Sequence, residues 1–278
     1  MPPKTIREEV VAGKTLRLAS DGKQFLGVVI SGQVRTEPLI GDDAEEVWRR
    51  LRNEIGKASP NYFGYDGAKA RFLSIMTQGF DSELYLKGER NYKVRAKELL
   101  EQTLPLTGAL DANADNAREV ARVFGRTNLL SPFELARVGE VLRGAEGPAF
   151  VRASGSFALG EVSSGLTAMK EILKAHGQPS WPIVTYLPFL WSSGEHMFLK
   201  PTVTTDYAER VGHPFSYEYS PQLEARVYAS LLELVEQTES EIADLKPTDR
   251  VDIQSFIWVV GRWSQKDADV SEGAPVSG

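Results

Sequence analysis

The stretch KTLRLASDGKQFLGVVI, residues 14–30, places two strand-like segments on either side of an Asp-Gly turn. Its first half alternates leucine with polar residues, which is typical of a strand with one buried face. The dipeptide Asp21-Gly22 favours a tight turn between antiparallel strands, and the apolar run 25–30 follows it. With a third strand predicted at 34–40, the N-terminus is expected to form a small antiparallel sheet.

Helical periodicity dominates the rest of the chain. Apolar residues recur every four positions from Val47 to Ile55, and the acidic residues at 42–46 suit the N-terminus of that helix. The segment Ser131–Glu134 has the pattern of a capping box with proline at the first helical position. The other predicted helices are residues 68–76, 81–104, 112–124, 132–142, 166–175 and 221–245. The predicted fold class is therefore α+β, helix-rich, with a small N-terminal antiparallel sheet.

One globular domain is predicted for residues 1–263, and the first nine of these are expected to form a tail. A disordered tail is predicted for 264–278, where the residues are mostly small and polar with Gly and Pro. The stretch 181–198 is the densest in aromatic residues, and a pair of core strands is one interpretation of it. The stretch 251–260 is rich in β-branched and aromatic residues, which indicates a buried strand, although its length also allows a short helix.

Composition excludes several classes of protein. The 278 residues include no cysteine, so disulfides, a thiolate nucleophile and zinc sites with Cys ligands are excluded. No apolar leader follows Met1, and no apolar run approaches the ~18 residues of a membrane-spanning helix, so we expect a cytoplasmic protein without a membrane partner.

Charge is unevenly distributed along the chain. The net charge is −6, yet eleven Lys and Arg outnumber five Asp and Glu between residues 48 and 97. Between residues 218 and 252 the balance reverses, with nine acidic residues against three basic ones. This pattern predicts one basic and one acidic region, or else an ordinary solvated surface.

The basic segment KGERNYKVRAK, residues 87–97, is the first candidate site. In a helix its cations fall near one face, with an aromatic residue among them. Such a face suits the phosphate backbone of DNA, because Lys and Arg neutralise phosphates and release counterions. The alternative is a solvated face paired with the acidic helix at 224–244. The predicted DNA-binding residues are Lys87, Arg90, Tyr92, Lys93, Arg95, Lys97 and Lys200.

The aromatic segment 181–201, together with 251–260, is the second candidate site. Aromatic rings with a few polar groups suit a base flipped out of DNA, which needs stacking and recognition of its edge. A carboxylate within an apolar run points to solvent, forms a salt bridge or has a chemical role, because an unpaired buried charge is costly. The predicted catalytic residues are Asp252 and Glu195, and the predicted base pocket comprises Tyr186, Phe189, Trp191, His196, Gln254 and Trp258. The alternative is an ordinary core with a polar turn and a salt-bridged carboxylate.

Motifs for other chemistries are missing from the sequence. The three histidines, at 176, 196 and 213, lack metal-ligand spacing, and there is no P-loop, dinucleotide fingerprint or nucleophile elbow. The segment Ala153–Ser156 comes nearest to a phosphate-cradling loop, but it lacks the lysine of a P-loop. We expect no cofactor and no metal, while a metal site assembled only in three dimensions and the oligomeric state stay open.

Five segments, which together span most of residues 60–263, resemble a little-described bacterial protein family. They are GFDSELYLKGERNYKVRAK (79–97), RTNLLSPFE (126–134), WPIVTYLPF (181–189), HMFLKP (196–201) and VDIQSFIWVV (251–260). Within that family they resemble antiphage DNA glycosylases, which excise modified bases from viral DNA. The resemblance implies a DNA glycosylase that hydrolyses the N-glycosidic bond of a flipped-out modified base and leaves an abasic site.

No catalytic residue is carried over by motif, because two glycosylase signatures are absent: the LPG[VI]G hairpin of the helix-hairpin-helix class and the GQDPYH motif of uracil glycosylases. Chemistry alone requires a carboxylate that stabilises the sugar cation or activates water, and Lys200 is an alternative that forms a Schiff base with the sugar. Three other functions stay open. One is a non-catalytic nucleic-acid-binding module of a defence or restriction system, and another is a small-molecule enzyme or binder that uses the aromatic pocket. The third is a nuclease, for which Asp81 and Glu83 are the close acidic pair near the basic helix.

Overall fold

The computed structural model describes residues 2–11, 13–57 and 59–262, and it confirms the helix-rich α+β class with an N-terminal antiparallel sheet. The chain is divided into two compact units. Unit 1 runs to Ala68 and includes Thr205–Glu218, and unit 2 comprises Lys69–Thr204 and the described residues from Tyr219 onward. The single domain over 1–263 stays a prediction, and the tail predicted at 264–278 lies outside the described residues.

Unit 1 contains the sheet. Its strands are β1 (Lys4–Val11), β2 (Lys14–Ser20), β3 (Phe25–Ser31), β4 (Val34–Arg35) and β5 (Leu39–Gly41). They pair antiparallel in the order β1-β2-β3-β4, and β5 also pairs with β3. At the predicted turn the Asp21 side chain accepts hydrogen bonds from the backbone N–H groups of Lys23 and Gln24. Gly22 has φ 90°, a left-handed conformation that favours glycine.

Two strand predictions were incomplete. The tail predicted for the first nine residues is wrong from Lys4 onward, because β1 pairs with β2 along its length. Nearly all β1 side chains are exposed, so the strand is held by backbone hydrogen bonds that its composition does not reveal. The third strand, predicted at 34–40, is broken into β4 and β5.

The core of unit 1 lies between the sheet and α1 (Ala44–Gly56). The predicted helix face is confirmed, and each fully buried Leu or Val contributes roughly 1.5–3 kcal/mol. Asp43 caps the helix by accepting a hydrogen bond from the Glu46 N–H at 2.7 Å. The buried cluster consists of Leu16, Leu18, Val29, Val47, Trp48, Leu51 and Ile55. Unit 1 also includes α11 (Phe215–Glu218), the first part of α2 (Gly64–Ile75) and most of α10 (Pro201–Val211).

All the regular secondary structure in the described residues of unit 2 is helical. Its remaining helices are α3 (Glu83–Tyr85), α4 (Asn91–Thr103), α5 (Ala114–Phe124), α6 (Pro132–Arg143), α7 (Gly147–Ala158), α8 (Val162–Lys174), α9 (Trp181–Trp191), α12 (Ala225–Glu241) and α13 (Arg250–Arg262). The capping box predicted at Ser131 is confirmed at the start of α6. The long helix predicted at 81–104 is interrupted by a π-helical turn, Leu86–Arg90, around the glycine at position 88. Such turns occur often at functional sites.

Two strand interpretations in unit 2 were wrong. The stretch 181–198 begins with α9, and the stretch 251–260 lies within α13, the helical alternative that its length also allowed. The segment Ala153–Ser156 lies within α7 rather than in a loop. The first two helices are buried on nearly all sides, so their sequences show neither the helical nor the strand period. No helix in the described ranges is long and apolar enough to cross a membrane.

Candidate functional site

A small pocket in unit 2 has polar side chains at its wall and aromatic rings around them. Its volume is about 90 Å³. The residues come from the π-helical turn and α4, from the segment after α5, from the segment before α10, and from α13. They are Glu89, Tyr92, Lys93, Asn128, Leu129, Phe198, Lys200, Gln254 and Trp258.

Gln254 gives this pocket an unsatisfied hydrogen-bond acceptor. The side chain is 5% exposed, and its Oε1 atom is buried without a hydrogen-bond donor among the described residues. A buried polar atom left in this state costs about 1–3 kcal/mol. Gln254 lines the pocket, and an N–H or O–H donor that reached its Oε1 atom would recover that free energy.

A buried ion pair forms a second part of the wall. The Lys93 Nζ atom donates to Glu89 Oε2 at 2.7 Å and to Ser255 Oγ at 2.8 Å. Lys93 is fully buried, and Glu89 is 4% exposed. Burial lowers the pKa of Lys93, and the charge of Glu89 partly offsets this effect. The pair fixes a carboxylate at the pocket, since a buried charge is retained only when it is paired and hydrogen-bonded.

Tyr92 and Asn128 form a third part. The Tyr92 hydroxyl donates to Asn128 Oδ1 at 2.8 Å, so the amide nitrogen of Asn128 can donate to a ligand. Burial, together with the charge of Glu89, raises the pKa of Tyr92. Lys200 Nζ donates to the Leu129 carbonyl at 2.7 Å, which holds its ammonium at the pocket. The pocket therefore offers both donors and acceptors within aromatic walls.

A wider cleft of about 580 Å³ shares Lys200 and Trp258 with this pocket. Prolines and aromatic residues form much of its wall, including Trp181 and Tyr219. The Trp181 indole N–H donates to the Ser220 carbonyl at 2.9 Å. The volume of the cleft is within the range of ligand-binding sites in proteins. Lys200 and Trp258 belong to the walls of both the cleft and the small polar pocket.

Asp252, one of the two predicted catalytic residues, lies outside the pocket. It belongs to a polar cluster in which both of its carboxylate oxygens accept hydrogen bonds. Its Oδ1 atom accepts hydrogen bonds from the Tyr85 hydroxyl and, at 2.5 Å, from Arg90. Its Oδ2 atom accepts from the Thr248 N–H at 2.7 Å. Asp252 is 1% exposed and is not among the residues that line the pocket.

Arg90 extends this cluster to Asp249, at 3.0 Å, and Lys97 joins it through Asp249 at 3.3 Å. Burial lowers the pKa of Arg90, but Asp249 and Asp252 outweigh it and raise that pKa overall. Burial raises the pKa of Asp249, but Arg90 and Lys97 outweigh it and lower that pKa overall.

The remaining predicted pocket residues are dispersed in the structure. Glu195 is exposed in the turn after α9, and its backbone carbonyl accepts a hydrogen bond from Arg250. Tyr186 and Phe189 are fully buried in the core, and Tyr186 stacks on Phe124 with ring centroids 4.4 Å apart. Gln254 and Trp258 are the two predicted base-pocket residues that do line the pocket.

Two further predicted pocket residues have hydrogen bonds within the fold. The Trp191 indole N–H donates to the Leu104 carbonyl at 2.9 Å. His196 is buried, its Nε2 atom lies 3.1 Å from the Ala158 carbonyl oxygen, and its ring stacks on Phe157. Burial lowers the pKa of His196, which favours the neutral ring.

The predicted DNA-binding residues do not share one solvent-exposed face. Lys93 is buried, Tyr92 is partly exposed, and both line the pocket. Arg90 and Lys97 form ion pairs in the Asp252 cluster. Lys87 is exposed and forms an ion pair with Glu83, and Arg95 is exposed. Lys200 lies at the pocket.

Sequence reasoning missed Glu89 and Asn128 as pocket residues. Glu89 and Lys93 are four positions apart, which is the spacing of an ion pair on a helix, and that signal was available within the basic segment. Asn128 lies in a loop, and no periodic pattern places it beside α4. The described residues contain no cluster of three or more acidic or histidine side chains able to hold a metal ion.

Comparison of the chain with protein-family models, curated proteins and solved structures finds no match. The resemblance to antiphage DNA glycosylases therefore stays a prediction.

Proposed function

We propose that the small pocket receives a nucleobase turned out of DNA and that the protein is a DNA glycosylase acting on a modified base. The observation that carries the proposal is a pocket walled by aromatic rings and lined by Gln254, whose Oε1 atom is buried without a hydrogen-bond donor among the described residues. Nucleobases carry N–H donors and ring acceptors along one edge, and enzymes that extrude a base recognise that edge by hydrogen bonds.

The pocket walls supply the other contacts that an extruded base needs. Trp258, Phe198 and Tyr92 are aromatic residues at the wall, and stacking on such a ring contributes about 1–3 kcal/mol per base. This contribution offsets the few kcal/mol needed to unstack the base from the duplex. The Asn128 amide and the Lys200 ammonium add donors for ring nitrogens and carbonyl oxygens.

The test is excision from defined DNA. Duplexes that each carry one 5-hydroxymethylcytosine, 5-hydroxymethyluracil, uracil, 7-methylguanine or N6-methyladenine are incubated with the protein and then treated with alkali. We expect at least one of these duplexes to show more strand breaks than the same duplex treated with alkali without the protein. Gln254→Leu should lose this activity, whereas Gln102→Leu, at an exposed position on α4, should keep it. Alkali-stable strands across the whole panel would reject the proposal.

A second candidate is a small-molecule enzyme or binder that takes a free nucleoside or another nitrogen heterocycle. It is favoured by the carboxylate partners of Arg90 and Lys97, because these cations are not arranged as a free phosphate-binding face. It predicts calorimetric binding of a free nucleoside and no DNA binding at low salt. A third possibility, a non-catalytic DNA-binding module, predicts salt-dependent DNA affinity without strand breaks.

A further inference from the structure

We infer that Glu89 is the catalytic carboxylate of this pocket; the inference rests on the proposed glycosylase function. Among the described residues that line the pocket, Glu89 is the one carboxylic acid. Asp252 has both oxygens engaged by Tyr85, Arg90 and the Thr248 N–H, and Glu195 is exposed in a turn. A group that acts on a bound base must reach it, and of these three carboxylates only Glu89 lines the pocket.

The surroundings of Glu89 fix its position. The π-helical turn places it one turn before Lys93, and the Lys93 ammonium holds its Oε2 atom at 2.7 Å. Lys93 is itself oriented by Ser255 on α13, the helix that also carries Gln254. The carboxylate is thus anchored from two helices beside the proposed base site. Such anchoring suits a group that must be positioned before the reaction begins.

The proposed step is the hydrolysis of the bond between C1′ of the sugar and the nitrogen of the base. The oxygen of a water molecule forms a bond to C1′ as the C1′–N bond breaks, and the electron pair of that bond leaves with the base. The Glu89 carboxylate takes one proton from the water and passes it to the departing nitrogen, so Glu89 returns to its starting form. The products are an abasic site with a hydroxyl at C1′ and the free base.

Glu89→Gln is the direct test, with Glu98→Gln as the matched control at an exposed position on α4. The substrate is the duplex that the wild-type protein cleaves best. We expect the excision rate of Glu89→Gln to fall by about 10²–10⁴-fold, the usual contribution of general acid–base catalysis. Its affinity should stay within a few-fold of wild type for the same duplex with a 2′-fluoro-arabino sugar at the modified base, because this sugar resists hydrolysis. Glu98→Gln should match wild type in both measurements.

Glu89→Gln removes the counter-charge of a buried lysine, so a second variant guards against misfolding. The double variant Glu89→Gln/Lys93→Met replaces the ion pair by neutral side chains of similar size. If either folded variant excises at the wild-type rate, the assignment of Glu89 is overturned while the glycosylase function stands. If the wild-type protein excises nothing, the proposed function and this assignment fall together.

Discussion

Asp252 and Gln254 lie two residues apart on α13, and both are almost fully buried. The three hydrogen bonds to Asp252 engage both of its carboxylate oxygens, from Tyr85, Arg90 and the Thr248 N–H. The Oε1 atom of Gln254 is buried with no donor among the described residues, and its side chain lines a pocket. The two positions therefore differ in whether the fold itself completes their hydrogen bonding.

This difference separates structural polar groups from groups available to a ligand. A buried charge with a full set of partners holds its helices together, since removing one partner leaves the others uncompensated. A buried polar atom without a partner lowers stability by itself, and at a pocket wall it is a candidate contact for a ligand. From the sequence alone Asp252 was predicted to be catalytic, whereas its contacts are those of a structural group.

The largest expected effect is the loss of stability on removing the Asp252 carboxylate. Asp252→Ala leaves the Tyr85 hydroxyl and the Thr248 N–H without their acceptor and breaks one ion pair of Arg90. We expect the free energy of unfolding to fall by about 3–5 kcal/mol, the usual result of breaking a buried ion pair from one side. Urea titration followed by circular dichroism measures this change.

The matched control is Asp115→Ala, which removes an exposed ion pair with Arg118. Exposed pairs contribute about 0–1 kcal/mol, so this variant should unfold close to wild type. If Asp252→Ala and Asp115→Ala unfold at the same urea concentration, the Asp252 cluster does not have the structural role assigned to it.

A smaller loss of stability is expected when the pH is lowered, because of His213 in unit 1. This buried side chain accepts a hydrogen bond from the backbone. Its Nδ1 atom accepts from the Phe215 N–H at 3.1 Å, and the ring is 2% exposed. Burial, reinforced by the charges of Arg52 and Arg49, lowers the pKa of His213 from 6.5 to about 3. Below pH 6.5 the unfolded chain therefore binds a proton that the folded chain does not bind until about pH 3, so stability falls as the pH falls through this window.

The free energy of unfolding should fall by on the order of 2 kcal/mol between pH 6.5 and pH 5, because each pH unit changes it by about 1.4 kcal/mol. Urea unfolding at several pH values in this interval measures it. The control is His213→Asn, whose side-chain oxygen can take the place of Nδ1 as the acceptor and which does not titrate. If the free energy of unfolding falls equally steeply with pH in wild type and in His213→Asn, the assignment of His213 as a neutral buried ring is contradicted.

The smallest expected change in stability is that of Gln254→Leu. The substitution removes a buried polar atom that has no donor among the described residues, so the free energy of unfolding should stay level or rise by up to about 1 kcal/mol. A thermal melt of the free protein measures this change against Asp252→Ala. Large destabilisation by Gln254→Leu would show that Gln254 is a structural group like Asp252, and the contrast between them would disappear.

Several features were predictable because they depend on near neighbours in the chain. The hairpin turn follows from Asp21-Gly22, the first helix from its four-residue apolar spacing, and the start of α6 from the capping box at Ser131. Each is decided by backbone conformation and hydrogen bonds within a few residues. The sequence did not identify the buried helices α9 and α13, for which strands were an interpretation, because a helix surrounded by apolar partners has no polar face to display its period.

The sequence by itself determined the helix-rich class, the N-terminal sheet, the absence of cysteine chemistry and the chemical types of the polar residues that α13 carries. Only the tertiary structure decided which of those polar residues are satisfied: it set Arg90 and Tyr85 against Asp252, set Lys93 against Ser255, and left Gln254 at the wall of a pocket. The physical reason is that a buried hydrogen bond or ion pair depends on distances of about 3 Å between atoms whose residues are more than 150 positions apart in the chain, and local patterns do not encode such distances.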